Sequence, residues 1–342
     1  MSCLLTEENI NGMRAVYLEN KLLRVGILVD RGSDIFEFTY KPAQIDFLLR
    51  LKKGLKNPLT DFSQIRNTKN QFEDYYYGGW QVCLPNSPAF NYRGAELGQH
   101  GEVSLIPWTL EILDNDPAKL KIKCKADVLR LPLSIERVFT MKADSAALVI
   151  DENLRNTSST DLDIMWGQHI AFGGDFLETG ASIETNAKTM RTEVQMPDNH
   201  MFKRGLTYAW PQALDKQGKP VDASKILPKG TSQFSDLCYL DGYDSQAFFT
   251  IKNIEKNLGF ALTWDGNLFS NLWFWQERNA TQDFPWWGDC FTAALEPWTS
   301  AWTSDPLNAI KKNEWKKITA GSEISTRITA VAFENDFKMS AL

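Results

Sequence analysis

Two Gly-Gln-His triplets, Gly98-Gln99-His100 and Gly167-Gln168-His169, carry two of the three histidines in this 342-residue chain. Histidine is the side chain most easily set to give or take a proton near neutral pH. Glycines beside each imidazole suggest close approach of backbone or ligand, the alternative being satisfied core or turn histidines. A carboxylate that could work with them closes the stretch Phe291-Thr292-Ala293-Ala294-Leu295-Glu296, directly before Pro297. At the end of so apolar a strand it is either an ion-pair partner or, with its pKa raised by desolvation, a usable general base. Asp236 opens another apolar run, Leu237-Cys238-Tyr239-Leu240, and is a turn residue or a ligand for hydroxyls. Gln81, Asn86 and Arg93 follow the glycine pair Gly78-Gly79. Amides, aromatics and an arginine are the usual side chains of a sugar-hydroxyl site; a tight loop packed under Trp80 is the competing reading. The third histidine, His200, lies beside Asp198 and Asn199 and reads as a loop residue.

The elements that must position these groups have a period of two. Leu120, Ile122, Cys124 and Ala126 alternate with Lys121, Lys123 and Lys125, and Ile324, Thr326, Ile328 and Ala330 with Ser325, Arg327 and Thr329. Alternation of this kind describes half-buried strands. Further strands are expected over 14–18, 22–29, 35–39, 108–113, 133–141, 147–154, 246–251 and 258–264, separated by turn signals such as Asp30-Arg31-Gly32 and Asp265-Gly266-Asn267. Many short strands between such turns predict an all-β, mostly antiparallel sandwich with few short helices. One helix is expected over Ile45–Leu55, ended by Pro58, and a shorter one over Pro306–Lys312. Residues 52–77 read as a long loop and residues 185–232, with four prolines, as an irregular excursion. No low-complexity linker divides the chain, so residues 1–342 are expected to form a single domain.

Composition excludes several classes. With 43% hydrophobic and 23% charged residues the chain suits a globular protein with a substantial core. A net charge of −6 argues against nucleic acid as a partner. Five cysteines without a CxxC pair give neither a disulfide framework nor a metal spacing, so reduced thiols in the cytoplasm are expected. No run approaches about 18 apolar residues, so no membrane span is predicted. Twelve tryptophans supply more aromatic faces than most chains carry, and such faces are platforms for sugar C–H groups as well as core filler.

Taken in order, the His100 segment, the Trp166-Gly167 strand with His169, the aspartate at 236 and the Leu295-Glu296-Pro297 strand resemble the aldose 1-epimerase (galactose mutarotase-like) superfamily. The likeness is greatest to its divergent aldose epimerase relatives, which share the opening Asp30-Arg31-Gly32-x-Asp34-Ile35, and it runs from about Leu22 to Phe333. The resemblance implies a β-supersandwich with a sugar cleft. It also implies interconversion of sugar anomers by ring opening and reclosure, without metal or cofactor. Glu296 would take the anomeric proton, His169 would protonate the ring oxygen, His100 would hold and polarise the substrate, and Asp236 would bind hydroxyls. Ring opening asks for one acid and one base on different oxygens, each contributing about 10²–10⁴-fold. The family arginine upstream of the first histidine is replaced by Tyr75-Tyr76-Tyr77; Arg93 or Arg31 could serve in its place. A non-catalytic carbohydrate-binding or sensing protein and a hexose-phosphate 1-epimerase are the alternatives, the latter needing a basic cluster such as Lys203 with Arg204. A homodimer is compatible with the sequence.

Overall fold

The computed structural model describes residues 2–61 and 69–334. Two large sheets dominate it. The larger, of twelve strands, runs in the order Leu4–Ile10, Met13–Glu19, Leu23–Leu28, Asp34–Tyr40, Trp80–Cys83, Gly167–Phe172, Phe291–Trp298, Asn271–Arg278, Ser235–Asp241, Thr189–Thr192 and Thr207–Ala209, with Ile45–Asp46 beside the fourth. The smaller, of nine, runs Lys225–Ile226, Ala181–Thr185, Gln246–Asn253, Leu258–Asp265, Glu323–Glu334, Ala147–Asn156, Leu133–Lys142, Lys119–Asp127 and Thr109–Asp116. Neighbouring strands pair antiparallel, as the all-β reading requires.

Alternation builds both sheets. In Lys119–Asp127 the residues Leu120, Ile122, Cys124 and Ala126 are buried, while the lysines between them meet acids on adjacent strands, Lys123 with Glu111 and Lys125 with Glu136. The inner faces of the two sheets close on one apolar core. Phe260, from the smaller sheet, packs edge-on against Phe38, Phe47 and Phe172 of the opposing layer at ring separations of 5.2, 5.7 and 5.1 Å. Truncating so enclosed a phenylalanine costs about 3–5 kcal/mol. All five cysteines are buried and unpaired. No helix among the described residues is long and apolar enough to cross a membrane.

Two sequence expectations need correction. Residues 45–55 form no helix. Ile45 and Asp46 pair with Tyr40 and Thr39, and Leu48 and Arg50 make single bridges to Phe172 and Gly78. Asp46 fixes this course by accepting from the Phe38 and Leu48 amides, and Phe47 and Leu48 are both buried in the core. A short apolar run does not distinguish helix from strand, and pairing to the sheet decided it. The stretch 52–77 is not all loop, because Gln71–Tyr75 is a short helix with Phe72 and Tyr75 buried; residues 62–68 of it lie outside the described residues. The Pro306–Lys311 helix is where the sequence places it, with Asp305 capping the Asn308 amide. The excursion at 185–232 also adds the last two strands of the larger sheet, Thr189–Thr192 and the edge strand Thr207–Ala209, and a small hairpin, Gln212–Leu214 with Pro220–Asp222.

Candidate active site

The outer face of the larger sheet carries the chemistry. Strand Gly167–Phe172 pairs with Phe291–Trp298 through Gly167–Trp298 and Ala171–Ala294, which sets His169 opposite Glu296. Gln81 is the partner of His169 on the other side, Trp273 the partner of Glu296, and Tyr239 the partner of Trp273. One row across the sheet thus reads Gln81, His169, Glu296, Trp273, Tyr239. Side chains of opposed residues share a face, and this row shares the face away from the core. Gly167 is required within it, since a Cβ there would fall 2.1 Å from the Trp298 ring.

His169 Nε2 lies 3.6 Å from Glu296 Oε1, with both side chains buried. That separation is longer than a direct hydrogen bond. Glu296 Oε2 accepts from Trp298 Nε1 at 3.0 Å, while His169 Nδ1 has no partner. Burial raises the Glu296 carboxyl to about 8, against the opposing pull of the Trp298 hydrogen bond. Burial likewise lowers the His169 imidazole to about 3, weakly opposed by its own backbone. Burial thus favours the neutral form of both groups.

His100 completes the cluster from a loop. It has φ +58°, and its amide donates to Ser87 O at 2.7 Å, with Ser87 Oγ 3.2 Å from Nδ1. Its ring is 5.4 Å from that of His169 and 5.5 Å from that of Trp298. Desolvation, then the neighbouring His169, keep it well below the usual imidazole range. Gly101 lets the loop sit this deep: at φ +71° a side chain is disfavoured, and a Cβ would lie 1.9 Å from Leu84 O.

A cavity of about 310 Å³ opens over these groups. Its walls are aromatic: Phe72, Tyr76, Trp273, Trp275, Trp286 and Trp302, with polar atoms from Ser87, Gln99, Glu73 and Glu193. The Glu193 carboxylate is held in place by the Tyr239 hydroxyl and by the Val194 and Gln195 amides. None of the described residues lining the cavity is an arginine or lysine. Among the described residues, no group of three or more His, Cys, Asp or Glu side chains is placed to hold a metal ion.

Of the residues singled out in the sequence, His100, His169 and Glu296 converge here, and the others do not line the cavity. Asp236 points to the opposite face of its strand; it accepts from the Met201 and Phe202 amides at 2.9 and 2.8 Å and so anchors a loop. Its neighbour Leu237 faces the cavity instead. Gln81 lies in the row beside His169, but its amide is committed to Gly78 O and Asp34. Asn86 donates to Pro88 O and Gly98 O and so ties down the loop that carries His100. Arg93 is at the surface, bound to Asp161 O and near Asp163. Arg31 is buried, donates to Lys56 O and Tyr75 O, and stacks over Tyr77 at 4.7 Å, holding the tyrosine segment from below. Arg204 is turned to Pro197 O and Asp198. His200 lies in a loop, its Nδ1 at 2.6 Å from Phe202 O. Glu193, Trp273, Trp275 and Trp286 escaped the sequence reading. The one available signal was the Trp273-Phe274-Trp275 alternation, which puts two indoles on one face.

The two antiparallel sheets closed on one core are those of the galactose mutarotase-like fold. A Klebsiella pneumoniae protein provisionally named an aldose 1-epimerase superposes with a TM-score of 0.75 at 15% identity, covering 97% of this chain and 83% of that one. A galactose mutarotase-like protein from Clostridium acetobutylicum gives 0.68 at 15%, covering 97% and 99%. A galactose mutarotase related enzyme from Lactobacillus acidophilus gives 0.59 at 13%, covering 97% and 100%. No curated protein matches the sequence. The chain belongs to the family described as a domain of unknown function, DUF4432, whose model matches residues 10–331.

Proposed function

We propose that the protein interconverts the anomers of an aldose by acid–base catalysis, with His169 and Glu296 as the catalytic pair. The observation that carries this reading is the pair itself: a carboxyl and an imidazole 3.6 Å apart, buried under an aromatic cavity. Ring opening transfers one proton to the ring oxygen and removes one from the anomeric hydroxyl. The C1–O5 bond breaks, C1=O1 forms, and the pair ends with its proton on the other residue. After rotation about C1–C2, reclosure returns the proton by the same route. Glu296 and His169 exchange roles between opening and closing, so the reaction needs a total of one proton on the pair. With the resting proton on Glu296, the carboxyl starts as acid and the imidazole as base. This is the reverse of the starting assignment that the family resemblance implies, over the same cycle.

Trp273, Trp275 and Trp286 supply faces for sugar C–H groups, His100 a polar contact near the reacting atoms, and Glu193 a fixed acceptor for ring hydroxyls. A phosphorylated hexose finds no support among the described lining residues, since phosphate is ordinarily held by arginine or lysine. The decisive test is exchange NMR between α and β anomers across a panel of free aldoses. Catalysed exchange that vanishes in Glu296→Gln and His169→Asn is expected. Tight sugar binding with exchange no faster than in buffer would sink the reading in favour of a binding protein.

A further inference from the structure

On the other side of the strands that carry Leu237 and Trp275 lies a second cavity, of about 250 Å³, lined by Met201, Phe202, Val221, Asp222, Lys225, Leu227, Phe234, Gln276 and Arg278. Its walls are mostly apolar, and its unusual member is Arg278. This side chain is 1% exposed. Its Nη2 donates to Leu227 O and Pro228 O at 2.5 and 3.0 Å, and Phe234 and Phe291 stand 5.4 and 4.9 Å from the guanidinium carbon. Its Nε is buried without any partner, and no described carboxylate lies within ion-pair distance of it.

A buried guanidinium is ordinarily matched by an acid, because removing a cation from water is costly unless it is paired. Buried Arg137 is matched in this way by Glu152 at 2.7 Å, whereas buried Arg31, like Arg278, is held by backbone carbonyls and lines neither cavity. At Arg278 nothing opposes burial, which lowers its pKa to about 10. The acid that does line the cavity, Asp222, accepts from the Ser224 amide and hydroxyl through Oδ1. Lys225 adds a second positive charge at the edge. We infer that this cavity binds a small organic carboxylate, its acid group on Arg278 with help from Lys225 and its apolar body against Phe202, Val221 and Phe234. With Nη2 committed to the two carbonyls, the acid group would take a single charge-assisted contact from the rest of the guanidinium, and the lining favours a partly apolar ligand over a bare inorganic anion.

This site is separate from the sugar cavity and does not depend on the function proposed for it. Its position accounts for Asp236, whose carboxylate holds Met201 and Phe202, two residues of the second cavity wall. Asp236 and Gln276 are strand partners, and the adjacent pair Leu237 and Trp275 faces the sugar cavity. The two cavities therefore share a single sheet thickness.

The test is equilibrium binding, by calorimetry and by shift of thermal midpoint, with butyrate, gluconate, inorganic phosphate and a chloride control at constant ionic strength. Saturable binding of butyrate is expected, with phosphate weaker and chloride without effect. Arg278→Gln should weaken butyrate about 10–100-fold, the scale of a charge-assisted contact. Because Arg278 also pins residues 227 and 228, Lys225→Glu serves as the second variant; it lies at the edge and should weaken binding severalfold with an unchanged melting point. Butyrate binding that ignores both variants overturns the assignment, as does no saturable binding of any carboxylate to the folded wild type. Phosphate binding more tightly than butyrate overturns the carboxylate class.

Discussion

Two buried glutamates, carried by different sheets but meeting opposite faces of the one strand Gly167–Phe172, differ in how their burial is compensated. Glu152 faces the core side. Arg137 Nε donates to it at 2.7 Å and Gln168 Nε2 at 2.9 Å; Trp80 in turn holds Gln168, and Arg137 holds Ser33 O. Burial raises its pKa, but the guanidinium and the amide oppose that rise. Glu296, on the neighbouring strand, faces the cavity next to His169, whereas Glu152 reaches the adjacent Gln168 across the core from the smaller sheet. It has a single donor, Trp298, and an imidazole at 3.6 Å in place of a guanidinium. The first acid is held by a permanent cation; the second has no such partner, and burial pushes its pKa up. Compensation, more than burial, decides which role a buried carboxyl plays.

The contrast can be broken from either side, and the largest effect falls on the locked acid. Arg137→Met leaves Glu152 buried and unpaired and should destabilise the fold by about 3–5 kcal/mol in urea unfolding, whereas Arg137→Met with Glu152→Leu should recover most of the loss. Glu296→Gln preserves shape and should lower kcat for anomer exchange about 10²-fold or more, with little change in folding. His169→Asn should do likewise, and the double variant should fall far less than the product of the two. A normal turnover in Glu296→Gln accompanied by a large loss of stability would place Glu296 with Glu152 as a structural acid.

Acidity sharpens the same comparison. A pair that works with one proton should keep a level kcat/KM through neutrality and lose activity as pH rises through about 8, where Glu296 gives up its proton. Stability carries a second signature. The folded Glu296 pKa is raised above its unfolded value, so its contribution is fully present below about 4.5 and is lost as pH rises toward about 8. The stability of wild type relative to Glu296→Gln should fall across that window and level off beyond it. The smallest effect is expected at Asp236. Asp236→Ala frees the Met201 and Phe202 amides and should cost about 1–3 kcal/mol while leaving KM for sugar unchanged. A raised KM with intact stability would make it a sugar ligand after all.

The convergence of His100, His169 and Glu296, and most strands, were legible in the sequence because both depend on local pattern: period-two alternation, glycines beside a histidine, and a carboxylate closing an apolar strand. Asp236 was not. Residues 234–240 are nearly all apolar, so alternation does not tell which face is which, and the aspartate lies one residue away from the cavity face. Arg31 and Arg93 were read as ligands because sequence does not reveal that the tyrosine segment covers the first and that the second stays at the surface. Glu193, just past the strand Thr189–Thr192, and Trp286, in a loop, reach the cavity through contacts distant in sequence. The Ile45–Leu55 run failed for a related reason, since its apolar side chains fit a helix equally well until the neighbouring strands claim them.

The row that holds Gln81, His169, Glu296, Trp273 and Tyr239 has a consequence for manufacture and quality control of the protein. Because the row runs at right angles to the strands, each member depends on the register of a separate strand pairing. A slip of one residue in any of them would turn a core side chain out into the cavity and a working side chain into the core. Such a molecule could keep its far-ultraviolet spectrum and much of its compactness. Recovered turnover after refolding would therefore count correctly zipped molecules, acting as a register gauge that bulk spectroscopic measures of folding do not provide.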